Sequence, residues 1–257
     1  MSDVMDVIYD TIGRSYRATR REEPRIAAAI VGALGDARSV VNVGAGAGSY
    51  EPSDRRVIAV EPSEVMIAQR PPGAAPVVRG RAEELPLEDD CCDAAMAILS
   101  IHHWDDRAAG LRELRRVARR RVVLFGIDPE AADDFWMTRE YLPEVMSLVS
   151  GSGGPTDWEK ELGELLPGRL SVEAVPVPHN CRDGFYGAYW RRPRAFLDPV
   201  VRAGISVFSQ VPEAAVAGAL ERLRADLDSG ALARRHADLL DLEELDLGYR
   251  VITVELD

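Results

Sequence analysis

The run Val40-Val41-Asn42-Val43-Gly44-Ala45-Gly46-Ala47-Gly48-Ser49 is the stretch of this 257-residue chain most clearly built for chemistry. A short apolar segment passes straight into glycines at every second position. Glycine has no Cβ, so the loop can bend sharply and a ligand can come against its backbone. The loop lacks the Gly-Lys-Ser/Thr of a phosphate-binding loop. It reads G-x-G-x-G rather than the G-x-G-x-x-G of a dinucleotide fingerprint, so a nicotinamide site is the weaker fit. Glu61 follows at the end of the next apolar run, where a carboxylate can accept hydrogen bonds from both hydroxyls of a ribose. Pro62 and Ser63 after it suit a helix start. Two further stretches end apolar runs: Gly80-Arg81-Ala82-Glu83-Glu84-Leu85-Pro86-Leu87 and Ile98-Leu99-Ser100-Ile101-His102-His103-Trp104. Ligands of open parallel sheets lie outside the carboxyl ends of the strands, so these motifs mark one site.

Those motifs need elements that bring them to one edge. Apolar runs at 40–43, 57–60, 75–78, 94–99 and 122–125 lack polar alternation, as strands covered on both faces should. Residues 64–70 and 107–119 carry helix patterning between them. The alternation predicts an α/β fold with a parallel, doubly wound sheet and right-handed crossovers. Ahead of the sheet, Val4, Ile8, Ile12 and Tyr16 recur at helical spacing over 4–20, with Tyr9 on a neighbouring face. Pro24 opens a second helix that Gly35 closes. Beyond the sheet core, residues 129–169 read as helix and loop, 170–177 as a strand, and 193–205, 212–228 and 230–240 as helical. Alternation over Tyr249–Leu256 gives a final strand. The expectation is one domain over 1–257. Lid helices fill 1–38, the ligand-binding core 39–128, and substrate-side insertions with the last two strands 129–257.

Composition narrows the partners. The net charge is −12, and residues 129–257 carry thirteen basic against twenty-three acidic groups. An acidic half repels phosphate backbones, so no nucleic-acid partner is expected. The arginines at 112, 115, 116, 119, 120 and 121 read as the solvent face of a helix buried through Leu111, Leu114 and Val117. No run reaches the ~18–20 apolar residues of a membrane span. The opening residues do not form a secretory signal. Three cysteines, two of them adjacent, build no disulfide framework, and a cytoplasmic setting is expected. Cys91-Cys92 has no partner pair at zinc spacing. His102-His103 reads as pocket lining rather than as a metal site with His179 and Cys181, so no metal is expected.

Taken in order, these motifs resemble the class I S-adenosylmethionine-dependent methyltransferases, in particular the ubiquinone/menaquinone-biosynthesis (type 11) group. The resemblance covers roughly residues 5–128. VNVGAGAGSY is similar to the glycine motif, AVEPSEVMIAQR to the acidic-loop motif, GRAEELPLEDDCCDAA to the adenine-loop motif, and LSIHHWDD with LRELRRV to the fourth. It implies a seven-stranded, mostly parallel sheet whose last strand inserts antiparallel beside the fifth, with helical cap insertions. It also implies S-adenosylmethionine as cofactor, held by Tyr16, Gly44, Ala45, Gly46, Gly48, Glu61, Pro62, Met66, Ala82, Glu83, Leu99 and Ser100. Asn42 stands where the family often has Asp. Arg81 stands where it often has Asp or Asn, and a guanidinium cannot accept a bond from an adenine amino group.

The expected function is methyl transfer to a small-molecule acceptor, the acceptor atom (oxygen, carbon or nitrogen) being unreadable. A cofactor-binding regulator on the same fold and a nicotinamide oxidoreductase are the competing classes. In-line methyl displacement needs alignment and desolvation first, and a base only where the acceptor is not already nucleophilic. His102, His103, His179 and Asp183 are the candidate catalytic groups, since imidazole titrates near neutrality. The stretch 179–193 crowds a histidine, a carboxylate, arginines and aromatics between the last two strands. If it is helical from 183, Asp183, Tyr186 and Trp190 share a face. Its His179, Tyr186, Tyr189 and Trp190, together with Tyr9 from the first helix, are expected to bind the acceptor, and the N-terminal helix to act as a lid.

Overall fold

In a computed structural model of the chain, residues 19–128, 135–151 and 158–257 are described. The expected helix over 4–20, with Tyr9 and Tyr16, lies outside them. Helix α1 (Pro24–Leu34) starts on a proline, is capped by the Glu23 carboxylate and ends at Gly35 with φ 52°. Ile26, Ile30 and Leu34 are its buried stripe. Strand β1 (Ser39–Val43) is buried at every residue, as its unbroken apolar pattern predicts.

The chain then alternates as expected through β2 (Arg56–Glu61), α2 (Glu64–Ala68), β3 (Val77–Arg79), β4 (Cys92–Ile98), α3 (Arg107–Val117) and β5 (Ala118–Ile127). Pairing of the third strand begins at Val77, not at 75, because Pro76 has no N–H and gives only its carbonyl, to Ala59. Helix α3 stops at Val117, two residues earlier than its pattern predicts. Ala118 already pairs with Cys92, so Arg119, Arg120 and Arg121 lie in a strand and not on a helix face. Their guanidiniums pair with Asp93, Asp36 and Glu255.

Beyond the core come α4 (Glu144–Gly151), α5 (Trp158–Leu165), β6 (Gly168–Ala174) and a two-residue β7 (Val177–Pro178). Then follow α6 (Pro199–Ala203), α7 (Val207–Gln210), α8 (Glu213–Ser229), α9 (Ala231–Arg235), β8 (Glu244–Leu245) and β9 (Tyr249–Leu256). The main sheet has seven strands in the order β3-β2-β1-β4-β5-β9-β6, with β9 antiparallel between β5 and β6. Alternate residues feed the two faces. Val40, Ala94, Met96, Val123 and Phe125 pack with α1 and the cap insertions. Val41, Ala95, Ala97, Val122 and Leu124 pack with Leu111, Leu114 and Val117 of α3.

The stretch 179–193 departs from expectation. It makes only a short 3-10 turn at Tyr186–Tyr189, so Asp183 shares no helix face with Tyr186 and Trp190. Two of its four aromatics, Tyr189 and Trp190, are cap core. Trp190 is 2% exposed and donates its indole N–H to the Val177 carbonyl at 2.9 Å. Its own carbonyl accepts the Trp136 indole N–H at 2.9 Å. Tyr189 packs on Phe196 and under the Arg192 guanidinium. Among the described residues no helix is long and apolar enough to cross a membrane.

Candidate active site

Where β1 ends, the backbone turns through Gly44 at φ 69° and Gly46 at φ 51°. Both values lie in the left-handed region that side chains disfavour. Gly44 is also closed sterically, since a Cβ there would stand 2.6 Å from the Ser100 Cβ. Ser100 is held by donating its hydroxyl to the Val43 carbonyl at 3.0 Å. The glycine loop and the end of β4 therefore fit against each other. Glu61, 5% exposed at the end of β2, accepts the Gly46 N–H at 2.7 Å on one oxygen. Its other oxygen accepts the Ser63 N–H at 3.0 Å. One carboxylate thus sets both the loop and the start of α2.

These groups surround a cavity of about 110 Å³ outside the carboxyl ends of β1, β2 and β4. Of the expected cofactor residues, Gly44, Ala45, Gly46, Glu61, Pro62, Met66, Ala82, Glu83, Leu99 and Ser100 all line it. Gly48 does not; it faces the Arg70 guanidinium, which pairs with Glu51. Glu83 accepts the Asp105 N–H at 2.8 Å, and Arg81 pairs with Asp105, so this acidic loop is tied to the segment after Trp104. Asn42, Trp104 and Arg20 line the cavity as well. The Asn42 amide donates to Glu51 at 3.2 Å. Its carbonyl oxygen is buried with no partner among the described residues. An orphan acceptor at a cavity wall fits a ligand carrying N–H donors, such as an amino-acid ammonium.

A second, larger cavity of about 210 Å³ opens beside the first, and Arg20, Leu99 and His103 line both. Leu99 has φ 50°, an uncommon value for a branched side chain. Backbone strain of this kind, of order 1–3 kcal/mol, persists where surroundings enforce it and clusters at functional sites. Here the Leu99 N–H is fixed on the Phe125 carbonyl at 2.7 Å. The second cavity has apolar walls from Ile101, Phe135, Val145 and Phe185, and polar groups from His102, Arg107, Thr138, Tyr186 and Tyr249. The His102 and His103 rings lie 3.8 Å apart. His102 is exposed at the cavity, with protein packed closely around its ring. That desolvation, reinforced by the Arg20 charge, lowers its pKa to about 4. Burial lowers His103 in the same way. Both rings are neutral near pH 7.

The remaining expected residues fall elsewhere. His179 lies in the turn just after β7, bonded to Glu243, and lines neither cavity. Its expected catalytic and acceptor-binding roles are therefore corrected. Tyr189 and Trp190 are packed in the cap and likewise line neither cavity. Asp183 is 2% exposed and faces Arg20 rather than an acceptor. It accepts Arg20 Nε at 2.6 Å, Arg20 Nη2 at 3.1 Å and the Tyr50 hydroxyl at 2.8 Å. Asp183 is thus a positioning residue. It ties Arg20, which borders both cavities, to Tyr50 at the end of the glycine loop. Arg20, Arg107 and Tyr249 were not legible as site residues, because each stands alone in an otherwise ordinary helix, loop or strand pattern.

The fold, the glycine loop and the strand-end acidic residue define a nucleoside-binding α/β enzyme, and comparison with known proteins gives its family. A family profile described as "Methyltransferase domain" matches residues 41–125. A structure from Anabaena variabilis, described as a methyltransferase from an antibiotic biosynthesis pathway, is 33% identical. That likeness covers 93% of this chain and 99% of the other at a TM-score of 0.85. The phosphoethanolamine N-methyltransferase 2 of Haemonchus contortus, in complex with S-adenosylmethionine, matches 99% of this chain and 59% of its own at a TM-score of 0.60. At 13% identity that second likeness shows the fold alone. An uncharacterized protein of Escherichia coli (strain K12), YafE, is 28% identical over 129 residues, 48% of this chain. The match spans only 59% of that curated relative. The chain belongs to the S-adenosylmethionine-dependent methyltransferases, with a type 11 methyltransferase domain.

The first cavity fits that cofactor. Glu61 would hold the ribose, Ala82 and Met66 the adenine side, and the Gly44–Gly46 backbone with Asn42 the amino-acid end. When bound, the cofactor supplies a methyl carbon made electrophilic by a sulfonium. The protein's part is to hold that carbon and an acceptor in line and to keep water out, which can contribute much of the rate without covalent help.

Proposed function

We propose that the protein methylates a small-molecule acceptor bound in the second cavity, with cofactor-binding roles for the residues lining the first. The observation that carries this reading is that the two cavities are contiguous at Arg20, Leu99 and His103. A cofactor in one and an acceptor in the other would meet at that border. The second cavity is mostly apolar with a few convergent polar groups, the usual makeup of a small-ligand site. His103 and His102 remain the imidazoles facing the reacting atoms, and Tyr186 is the acceptor-side aromatic from the 179–193 stretch. Free thiols at Cys91, Cys92 and Cys181 accord with a cytoplasmic setting.

A blocking substitution tests this. Gly126 of β5 lines the second cavity, and a Cβ added there meets only the Ile101 Cδ1, at 4.0 Å. Gly126→Leu fits the fold and fills the chamber. The expected result is S-adenosylmethionine binding within about twofold of wild type by calorimetry, with S-adenosylhomocysteine release in the presence of acceptor lost. Full turnover by Gly126→Leu would place the acceptor elsewhere.

A further inference from the structure

Among its described lining residues the second cavity has two guanidiniums and no carboxylate, beside the hydroxyls of Thr138, Tyr186, Ser206 and Tyr249, the Gln210 amide and two imidazoles. Arg20 and Arg107 both line it. Their carboxylate partners, Asp183 at 2.6 Å and Glu161 at 2.7 Å, are not among the residues that line it. Both arginines thus border the chamber, and these two carboxylates do not. The hydroxyl oxygen of Tyr186 accepts from Thr138 at 3.3 Å, and that of Tyr249 accepts the Gly187 N–H at 3.2 Å. Each phenol keeps its O–H, which can turn to donate to a ligand. Burial raises both phenol pKa values, so both keep their protons.

We propose that the methyl acceptor is an oxyanion, a carboxylate or phenolate on an apolar body, drawn into the chamber by Arg20 and Arg107 and by the Tyr186 and Tyr249 hydroxyls. This rests on the reading of the second cavity as the acceptor chamber. An oxyanion accepts from four donors and attracts two guanidiniums. An ammonium meets like charge at both guanidiniums and no carboxylate among the described lining residues. The chemistry agrees. A lone pair of the anionic oxygen forms the new bond to the methyl carbon, the carbon–sulfur bond breaks, and its electron pair returns to sulfur. The products are a neutral ester or ether and S-adenosylhomocysteine. No proton leaves the acceptor, so no strong base is called for. The low pKa of His102 makes its ring a poor proton acceptor and a suitable neutral wall.

The test uses 4-nitrophenol, whose phenolate is yellow and whose ionisation falls near neutral pH. The full chain is titrated with it in the presence of S-adenosylhomocysteine, and absorbance gives the phenolate fraction of the bound probe. The bound phenolate-to-phenol ratio is expected to rise about tenfold at fixed pH, a one-unit fall in the probe's pKa. Arg107→Gln should abolish most of that rise and Arg107→Lys should keep it. Benzoate should displace the probe and benzylamine should not. With S-adenosylmethionine present, mass spectrometry separates the two sources as a methyl ester of benzoate or a methyl ether of the phenol. A bound probe whose phenolate fraction is unchanged or lowered overturns the proposal, as does displacement by benzylamine equal to that by benzoate. Those results leave the acceptor chamber standing. A probe that binds Gly126→Leu as well as wild type overturns the chamber itself, and this proposal with it.

Discussion

Asp183→Asn removes one charge from a buried network while keeping its shape. Asp183 Oδ1 accepts Arg20 Nε at 2.6 Å, and Oδ2 accepts Arg20 Nη2 at 3.1 Å and the Tyr50 hydroxyl at 2.8 Å. An amide has one acceptor oxygen, so its NH2 must face either Arg20 Nε or the pair of donors at Oδ2. The milder arrangement loses the single bond at Oδ1 and keeps the other two without their charge. A hydrogen bond to a charged group contributes about 1.5–3 kcal/mol. The upper bound comes from removing the charge that faces Arg20, whose side chain is 11% exposed, since breaking a buried pair costs about 3–5 kcal/mol. Urea unfolding should therefore show Asp183→Asn destabilised by about 2–4 kcal/mol. Function should suffer separately. Arg20 borders both cavities, and Tyr50 closes the glycine loop. Acceptor KM should rise at least about tenfold, equivalent to about 1.4 kcal/mol. Tyr50→Phe keeps the ion pair and should cost less. The double variant should show coupling of about 0.5–3 kcal/mol, as expected for residues in one network. An Asp183→Asn protein within about 1 kcal/mol of wild type, with unchanged acceptor KM, would refute the positioning role.

Glu61→Gln should weaken S-adenosylmethionine binding and loosen the glycine loop. The amide can no longer accept both the Gly46 and Ser63 N–H groups, and a loss of about 1.5–3 kcal/mol is expected by calorimetry. Unchanged affinity would remove Glu61 from the cofactor site. Gly46→Val forces a β-branched residue to φ 51° and brings its Cβ to 3.2 Å from the Met66 methyl. It should abolish cofactor binding in a chain whose circular dichroism is native, and normal binding would show the loop to be only a turn. Stability should fall as pH drops from 6.5 through about 4. In that window the unfolded chain protonates His102 and His103 while the folded chain keeps them neutral. His102→Asn should flatten this slope in urea midpoints measured at neutral and mildly acidic pH; an unaltered slope would refute it.

The cofactor half was legible in the sequence because its chemistry is backbone chemistry at strand ends. Glycines at φ 69° and 51° and a carboxylate closing β2 leave a short-range pattern that local rules detect. The acceptor half depends on residues brought together across the chain. Arg20 meets Asp183 over 163 positions, and Tyr50 meets it over 133. No local periodicity encodes such pairings. The crowded 179–193 stretch was misleading for the same reason. Its aromatics looked like a pocket, yet Tyr189 and Trp190 fill the cap interior, and Tyr186 alone of the three aromatics expected there turns into the chamber. Residue type alone cannot separate a ring that packs from a ring that lines, because both bury the same apolar surface. What separates them is the partner of the polar handle. The Trp190 indole N–H is spent on the Val177 carbonyl inside the cap, whereas the Tyr186 hydroxyl accepts from Thr138, itself a chamber residue. A buried aromatic whose polar atom is satisfied inward is structural. One whose polar atom is satisfied at the cavity wall retains a donor for a ligand, and by that criterion Tyr186 and Tyr249 belong with the proposed acceptor site.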